Sequence, residues 1–238
     1  MKIALIGYGK MGKAIEEIAI QRGHAIVLRI DENNSGDFTK ENINAADVAI
    51  EFTGPHSAYE NVKKAIDFGT PVVCGSTGWL EKLDEIKKLC IDRKGAFLYA
   101  SNFSVGVNIF FEVNKRLASL MAAHSDYEIG ITEIHHTQKK DAPSGTAITI
   151  AEQVLENIPR KKNWVNHISD NTDDLEILSD RIDPAPGTHK VKYSSAIDDI
   201  EIIHTAHSRK GFALGAVIAG EFIHDKKGIF SMKEVLGL

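Results

Sequence analysis

Short apolar runs alternate with helically spaced apolar positions through the first hundred residues. Residues 2–6, Lys-Ile-Ala-Leu-Ile, make a run of strand length, and behind the glycines that follow, Ala14, Ile15, Ile18 and Ala19 share one helix face. The pattern then repeats. Strands are predicted over 25–30 and 48–52, followed by a helix carrying Ala58, Tyr59, Val62, Ala65 and Ile66, which Gly69 caps ahead of Pro71. A strand over 71–74, a helix with Leu80, Leu83, Ile86 and Leu89 on one face, and a strand over 96–100 complete the series. Strands separated by helices predict an α/β fold with a Rossmann-type, doubly wound parallel sheet. Ligands of such sheets bind beyond the carboxyl ends of the strands.

Beyond residue 103 the pattern changes. Asn102-Phe-Ser-Val-Gly106 reads as a crossover into a second domain, whose first helix is expected to bury Phe110, Val113, Leu117 and Leu120. An alternating strand over 127–134 follows, and Ile148, Ile150, Ala151, Val154 and Leu155 mark a helix that starts near Ser144. Residues 157–181 are polar and give no clear period, with 166–174 read as a loop. Strands over 187–193 and 200–206 are expected to pair antiparallel or in a mixed sheet, since little sequence lies between them. A helix over 212–223 and a capping box at Ser231-Met-Lys-Glu234 close the reading.

The chain has 238 residues, enough for one large domain or two ordinary ones, and its 26% charged and 43% hydrophobic residues are ordinary for a soluble protein. A net charge of −5, with no basic cluster longer than Arg160-Lys161-Lys162, argues against nucleic acid as a partner. No apolar run approaches a membrane span and the N-terminal run is too short for a signal peptide, so a cytoplasmic protein with a small-molecule partner is expected. Cys74 and Cys90 fall in a predicted strand and helix without metal-ligand spacing, so no metal site is expected and both are read as small buried residues.

Gly7-Tyr8-Gly9-Lys10-Met11-Gly12 lies between a strand and a helix, and the next strand ends in Asp31. In that context Gly7 serves the turn, Gly9 the approach of a pyrophosphate, Gly12 the helix-on-strand packing and Asp31 the ribose hydroxyls. Other loops fall at the same edge of the sheet: Thr53-Gly-Pro-His56, Gly75-Ser-Thr77 and Ala100-Ser-Asn-Phe103.

The densest chemistry lies in Glu133-Ile-His-His-Thr-Gln-Lys-Lys-Asp-Ala-Pro-Ser-Gly-Thr-Ala147. Two imidazoles and two ammonium groups precede a turn that opens a helix, a place where backbone N–H groups and the helix dipole suit an anion. Glu133, Asp141 and Glu152 are the acids nearest in sequence to these imidazoles, and the sequence does not choose among them. The run from His135 to Thr146 resembles the active-site segment of the 4-hydroxy-tetrahydrodipicolinate reductase family, the pyridine-nucleotide enzymes of the diaminopimelate route to lysine. The resemblance implies that His135 and Lys139 are the catalytic pair, that His136, Gly145 and Thr146 bind a dicarboxylate substrate, and that Gly75, Ser76, Thr77, Ala100, Ser101, Asn102 and Phe103 contact the cofactor along with residues 7–12. Which of His135 and Lys139 releases the proton stays open.

The same resemblance implies a dinucleotide-binding domain of residues 1–103 plus 208–238, an α+β substrate-binding and oligomerisation domain of residues 104–207, and a homotetramer; the split of the site between the nucleotide cleft and residues 135–146 leads to the expectation that the two domains close on their ligands. Where relatives carry an arginine after the acid of the second strand, this chain has Glu32. Two adjacent carboxylates repel a 2′-phosphate, so NADH is expected to be preferred, with Lys10 and Arg29 as cations that would permit NADPH. Competing readings are another NAD(P)-dependent amino-acid or semialdehyde dehydrogenase, and a non-enzymatic NAD(H) sensor.

Overall fold

The computed structural model describes all 238 residues, which divide into two compact units: Met1–Val105 with Arg209–Leu238, and Gly106–Ser208. In the first, β1 (Lys2–Ile6) pairs in parallel with β2 (Ala25–Ile30) on one side and β3 (Val48–Glu51) on the other. Beyond β3 come β4 (Val72–Cys74), β5 (Ala96–Tyr99) and β11 (Gly228–Phe230), again all parallel. The spatial order β11-β5-β4-β3-β1-β2 reverses between β1 and β3. That is where a doubly wound sheet opens its crevice.

Alternation along β1 divides the core of this unit into two layers. Ile3 and Leu5 pack with α1 (Lys10–Gln21) and α7 (Lys210–Ile223), while Ala4 and Ile6 pack on the opposite face with α3 (Ala58–Phe68) and α4 (Leu83–Asp92). A short α2 (Lys40–Ile43) adds Ile43 to that second layer. Burying Val217 and Ile223 of α7 completely stabilises the unit by roughly 1.5–3 kcal/mol each before ordering costs. Gly69 ends α3 at φ 89°, a left-handed C-cap that only glycine adopts cheaply. The predicted capping box is formed at the start of α8 (Met232–Leu236).

The second unit is a five-stranded mixed sheet in the order β10-β9-β6-β8-β7, built from β6 (Glu128–His135), β7 (Asn163–Val165), β8 (Asp174–Arg181), β9 (Gly187–Ser194) and β10 (Asp199–Ala206). α5 (Val105–Met121) and α6 (Gly145–Asn157) contribute to the core over one face, where Ile129, Ile131, Leu175, Ile177, Val191 and Tyr193 are buried. The face of α5 differs from the expectation. Val107, Phe110, Phe111, Asn114, Ala118 and Met121 point inward, while Val113 and Leu120 are 45% and 54% exposed. The helix carries two apolar stripes, and the one with Phe111, Ala118 and Met121 joins the core of the sheet. The region that gave no clear period contains β7 and β8. In β8 the inward pair Leu175 and Ile177 is too short a signal between acidic neighbours to announce a strand.

Candidate active site

Gly7 in the first unit adopts φ +98°, and a Cβ there would lie 2.2 Å from the Phe52 carbonyl oxygen. At Gly12 a Cβ would lie 2.2 Å from the Gly7 carbonyl oxygen, whereas a Cβ on Gly9 would meet nothing within 4 Å. The first and third glycines are therefore packing requirements, and the second leaves open space above the helix start. Gly9 is the N-cap of α1 and provides no side-chain cap, so the first amides of the helix face that space. A cavity of about 560 Å³ extends from Gly7, Tyr8 and Gly9 past Asp31 and Glu32 to Thr53, Pro55 and His56. Asp31 is fixed at its rim, its Oδ1 accepting from Asn33 N at 2.7 Å.

Cations near this cavity are not equally available. Arg29 donates through Nε to Glu16 Oε2 at 3.1 Å and through its other arm to Oε1, and the Tyr8 hydroxyl donates to the same carboxylate. The Arg29 guanidinium, with burial opposing it and the Tyr8 hydroxyl assisting, holds the Glu16 carboxyl below its usual range. Lys10 is exposed. Met11 packs partly into the core. Gly75, Ser76 and Thr77 follow β4, and Ala100, Ser101, Asn102 and Phe103 follow β5, at the carboxyl edge of the sheet but outside the lining of this cavity. Ser76 Oγ accepts from Thr53 N at 2.9 Å, and Phe103, 2% exposed, rests its ring against Phe52 at 5.5 Å between centroids. Beneath them the fully buried Glu51 accepts from Thr53 N at 2.9 Å and from Cys74 Sγ at 3.0 Å. Burial, then Glu51, pushes the Cys74 thiol well up. No thiolate nucleophile is available there, which removes the semialdehyde dehydrogenase reading that depends on one.

In the second unit β6 brings Glu133 and His135 to the buried face, two residues apart as strand alternation requires. Register supplies their partners. Glu133 lies opposite His189 of β9, and His135 lies opposite Arg181 of β8. Glu133, with no exposed surface, accepts from Ser144 N at 3.1 and 3.2 Å and from Arg181 at 3.1 Å. His135 Nε2 lies 3.4 Å and His189 Nε2 3.7 Å from Glu133 Oε2. Burial works against ionisation of Glu133, but hydrogen bonds from His135, His189 and Ser144 outweigh it and hold the carboxyl well below the usual range. For His189 burial dominates and lowers its pKa, with Glu133 opposing and His135 adding to the fall. Glu133, His135 and His189 have the donor types of a metal site, but Arg181 and the Ser144 amide already compensate the carboxylate.

Among the three acids left open by the sequence, Glu133 is the partner of the imidazoles, Asp141 pairs with Lys139 at 2.7 and 2.9 Å, and Glu152 is exposed. His136 lies just beyond the strand, half-buried, and Lys139 follows in an exposed loop. Ser144 caps α6 by accepting from Ala147 N, so Gly145 and Thr146 open the helix as the sequence indicated. The structure adds two residues that sequence reasoning missed, Arg181 and His189. A histidine inside the inward series Gly187, His189, Val191, Tyr193 was the available signal for the second; nothing in the polar stretch before residue 181 marked the first.

Comparison with known proteins bears on both units. Residues 1–103 match the family described as dihydrodipicolinate reductase, N-terminus, and residues 106–236 match dihydrodipicolinate reductase, C-terminus. The chain is 49% identical to the 4-hydroxy-tetrahydrodipicolinate reductase of Christiangramia forsetii over 99% of its own length and 98% of the relative's. It is 34% identical to the enzyme of the same name from Thermosipho africanus, over 99% and 98% of the two chains. Among solved structures it resembles a dipicolinate-bound dihydrodipicolinate reductase from Paenisporosarcina sp. TG-14, with a TM-score of 0.77 and 23% identity over 98% of each chain. A myo-inositol dehydrogenase from Corynebacterium glutamicum shares the fold at a TM-score of 0.57 and 16% identity, over 99% of this chain and 92% of the other.

Proposed function

The chain belongs to the dihydrodipicolinate reductase family, and on that premise we propose that NADH is its preferred reductant and that His135 and Lys139 are its proton-handling pair. It is an NAD(P)H-dependent oxidoreductase that reduces 4-hydroxy-tetrahydrodipicolinate to tetrahydrodipicolinate in the diaminopimelate route to lysine. The observation that carries this is the match of both units to the two halves of one family.

The residues of the first unit fit a dinucleotide. Open space at Gly9, the uncapped start of α1 and the Asp31 carboxylate at the cavity rim are the features a pyrophosphate and a ribose require. When bound, the nicotinamide supplies a hydride to the substrate ring. Gly7 to Gly12 and Asp31 would hold the nucleotide, with the loops at residues 75–77 and 100–103 toward the nicotinamide. Asp31 and Glu32 together support NADH over NADPH, and Arg29, tied to Glu16, is not at hand to meet a 2′-phosphate.

In this reading the dehydrated imine of the substrate is the species reduced, and the second unit holds its two carboxylates and supplies one proton. Gly145 and Thr146, at the positive end of α6, take one carboxylate, with His136 beside them. Lys139 Nζ donates the proton, since His135 Nε2 is turned inward to Glu133. His135, at the end of β6, is the other member of the pair, its ring held by Glu133. Asp141 holds Lys139 until substrate competes for the ammonium.

The helix-free face of the mixed sheet leaves Leu178 37% and Ile203 55% exposed among ion pairs such as Lys190–Glu201. That bare face supports assembly into a homotetramer, which light scattering on the eluting protein would test, four chains per particle being expected. A cytoplasmic setting belongs to the same reading. The decisive assay is oxidation of NADH and, separately, of NADPH at the nicotinamide absorbance, with substrate made freshly from pyruvate and aspartate semialdehyde by the preceding synthase. Turnover with NADH faster than with NADPH is expected. NADH binding without any turnover would instead favour the sensor reading.

A further inference from the structure

We propose that Arg181 and His189 are positioning residues, joined through the Glu133 carboxylate, that hold Lys139 and His135 in one working arrangement. This rests on the assignment of Lys139 and His135 to proton handling.

Arg181 lies at the end of β8, and its guanidinium does three things at once. It donates to Glu133 Oε1 at 3.1 Å, to the Asp141 carbonyl at 2.5 Å and, through Nε, to the Lys139 carbonyl at 3.3 Å. The loop that carries Lys139 is exposed, yet its backbone is fastened at residues 139 and 141 to a carboxylate with no exposed surface. A planar fork reaches these three acceptors from two nitrogens held in fixed relation; a lysine would have to reach them all from one ammonium on a flexible stem.

His189 completes the other arm. Its Nε2 lies 3.4 Å from His135 Nε2 and 3.2 Å from Ser144 Oγ, and the two imidazole rings meet edge to face with centroids 5.2 Å apart. On its other side the His135 ring abuts Gly187, where a Cβ would come within 2.8 Å of Cε1. The His135 ring is thus clamped between a glycine and a second imidazole, with Glu133 at its Nε2. His189 sits among Val191 and Tyr193, both without exposed surface, and its Nδ1 is buried with no hydrogen-bond partner. An apolar side chain would satisfy that position better for packing alone, since an unmatched buried nitrogen is unfavourable. What an apolar residue would forfeit is the set of contacts at Nε2.

The test uses the full chain with R181K, H189L, H189Q and the double variant R181K/H189L, each measured for kcat, KM, NADH affinity and Tm. R181K and H189L are each expected to lower kcat about 10- to 100-fold, part of the roughly 10²–10⁴-fold that acid–base groups supply. H189Q, whose amide nitrogen reaches the place of Nε2, should recover most of the loss, and NADH affinity should stay within about twofold throughout. Because both residues act on one carboxylate, the double variant should fall no more than about threefold below the weaker single variant. Losses that multiply in the double variant, single variants with wild-type kcat, or an H189Q no better than H189L would each overturn the proposal. If H189L does not fold, H189N against H189Q gives the same contrast, its amide lying closer to the backbone. Wild-type protein that binds NADH without turnover would overturn the functional reading and this inference together; turnover in the wild type with unaffected variants would overturn this inference alone.

Discussion

Glu32 is a single carboxylate whose influence on cofactor choice depends on what its neighbours are already doing. With Arg29 held by Glu16, the cavity beside Asp31 has acid without a free guanidinium. Glu32→Arg is expected to raise kcat/KM for NADPH about tenfold, ~1.4 kcal/mol in transition-state binding, with a smaller change for NADH. Paired rate measurements with the two cofactors check this. His189 gives a prediction of a different kind. Its folded pKa lies below the ordinary 6.5 because the ring is buried, so the unfolded chain takes up a proton that the fold refuses. Stability is therefore fully present above about 6.5 and falls as the pH drops below it. Urea midpoints followed from neutral to mildly acid pH should show that decline, and H189Q, which cannot titrate, should flatten it. His204, with its pKa likewise lowered by burial, leaves a remainder of the slope in the variant.

Element by element, the first unit was legible because its strands are short and punctuated by glycine, and the central ones, β1, β3 and β4, are buried on both faces. Ile3, Leu5, Val48 and Ile50 needed no alternation to be recognised. Within the site, the sequence supplied His135, Lys139 and a helix start near Ser144, all inside one segment; the structure shows Ser144 to be the cap. Arg181 and His189 reach the same carboxylate only through the pairing of β6 with β8 and β9, and strand register is not written in local periodicity. The α5 face was misread for a related reason, since two apolar stripes on one helix are separated only by what packs against them. Contact between elements also explains Gly215 of α7. A Cβ there would lie 1.7 Å from the Phe103 carbonyl oxygen, a backbone atom with little freedom to retreat. Gly215→Ala should therefore lower Tm by about 3–10 °C, an overpacking cost of ~1–3 kcal/mol that exceeds the usual gain of alanine over glycine in a helix. Calorimetry on the variant checks it.

Across the whole molecule, one unit is contiguous in sequence and the other is not. Gly106–Ser208 contains all five strands of its own sheet, while the first unit needs Arg209–Leu238 for α7, β11 and α8. The capping box and the alternation of strands with helices made those pieces readable, but only the resemblance of the chain to its family said that they rejoin the first hundred residues. A chain truncated after Ser208 should bind no NADH and pellet from clarified lysate, because Ile3, Leu5, Val48 and Ile50 lose the cover of Ala213, Ala216, Val217 and Ile223.

That discontinuity has a meaning during synthesis. A ribosome adding about 5–20 residues per second spends roughly 2–6 s on residues 209–238. Through that interval residues 1–105 wait with an uncovered apolar layer and an unpaired β5 edge, while all the strands of the second unit have already been synthesised. The growing chain is thus exposed to chaperones, and to neighbouring nascent chains, until residues 209–238 are available to close the first unit, and cofactor binding becomes possible only after them.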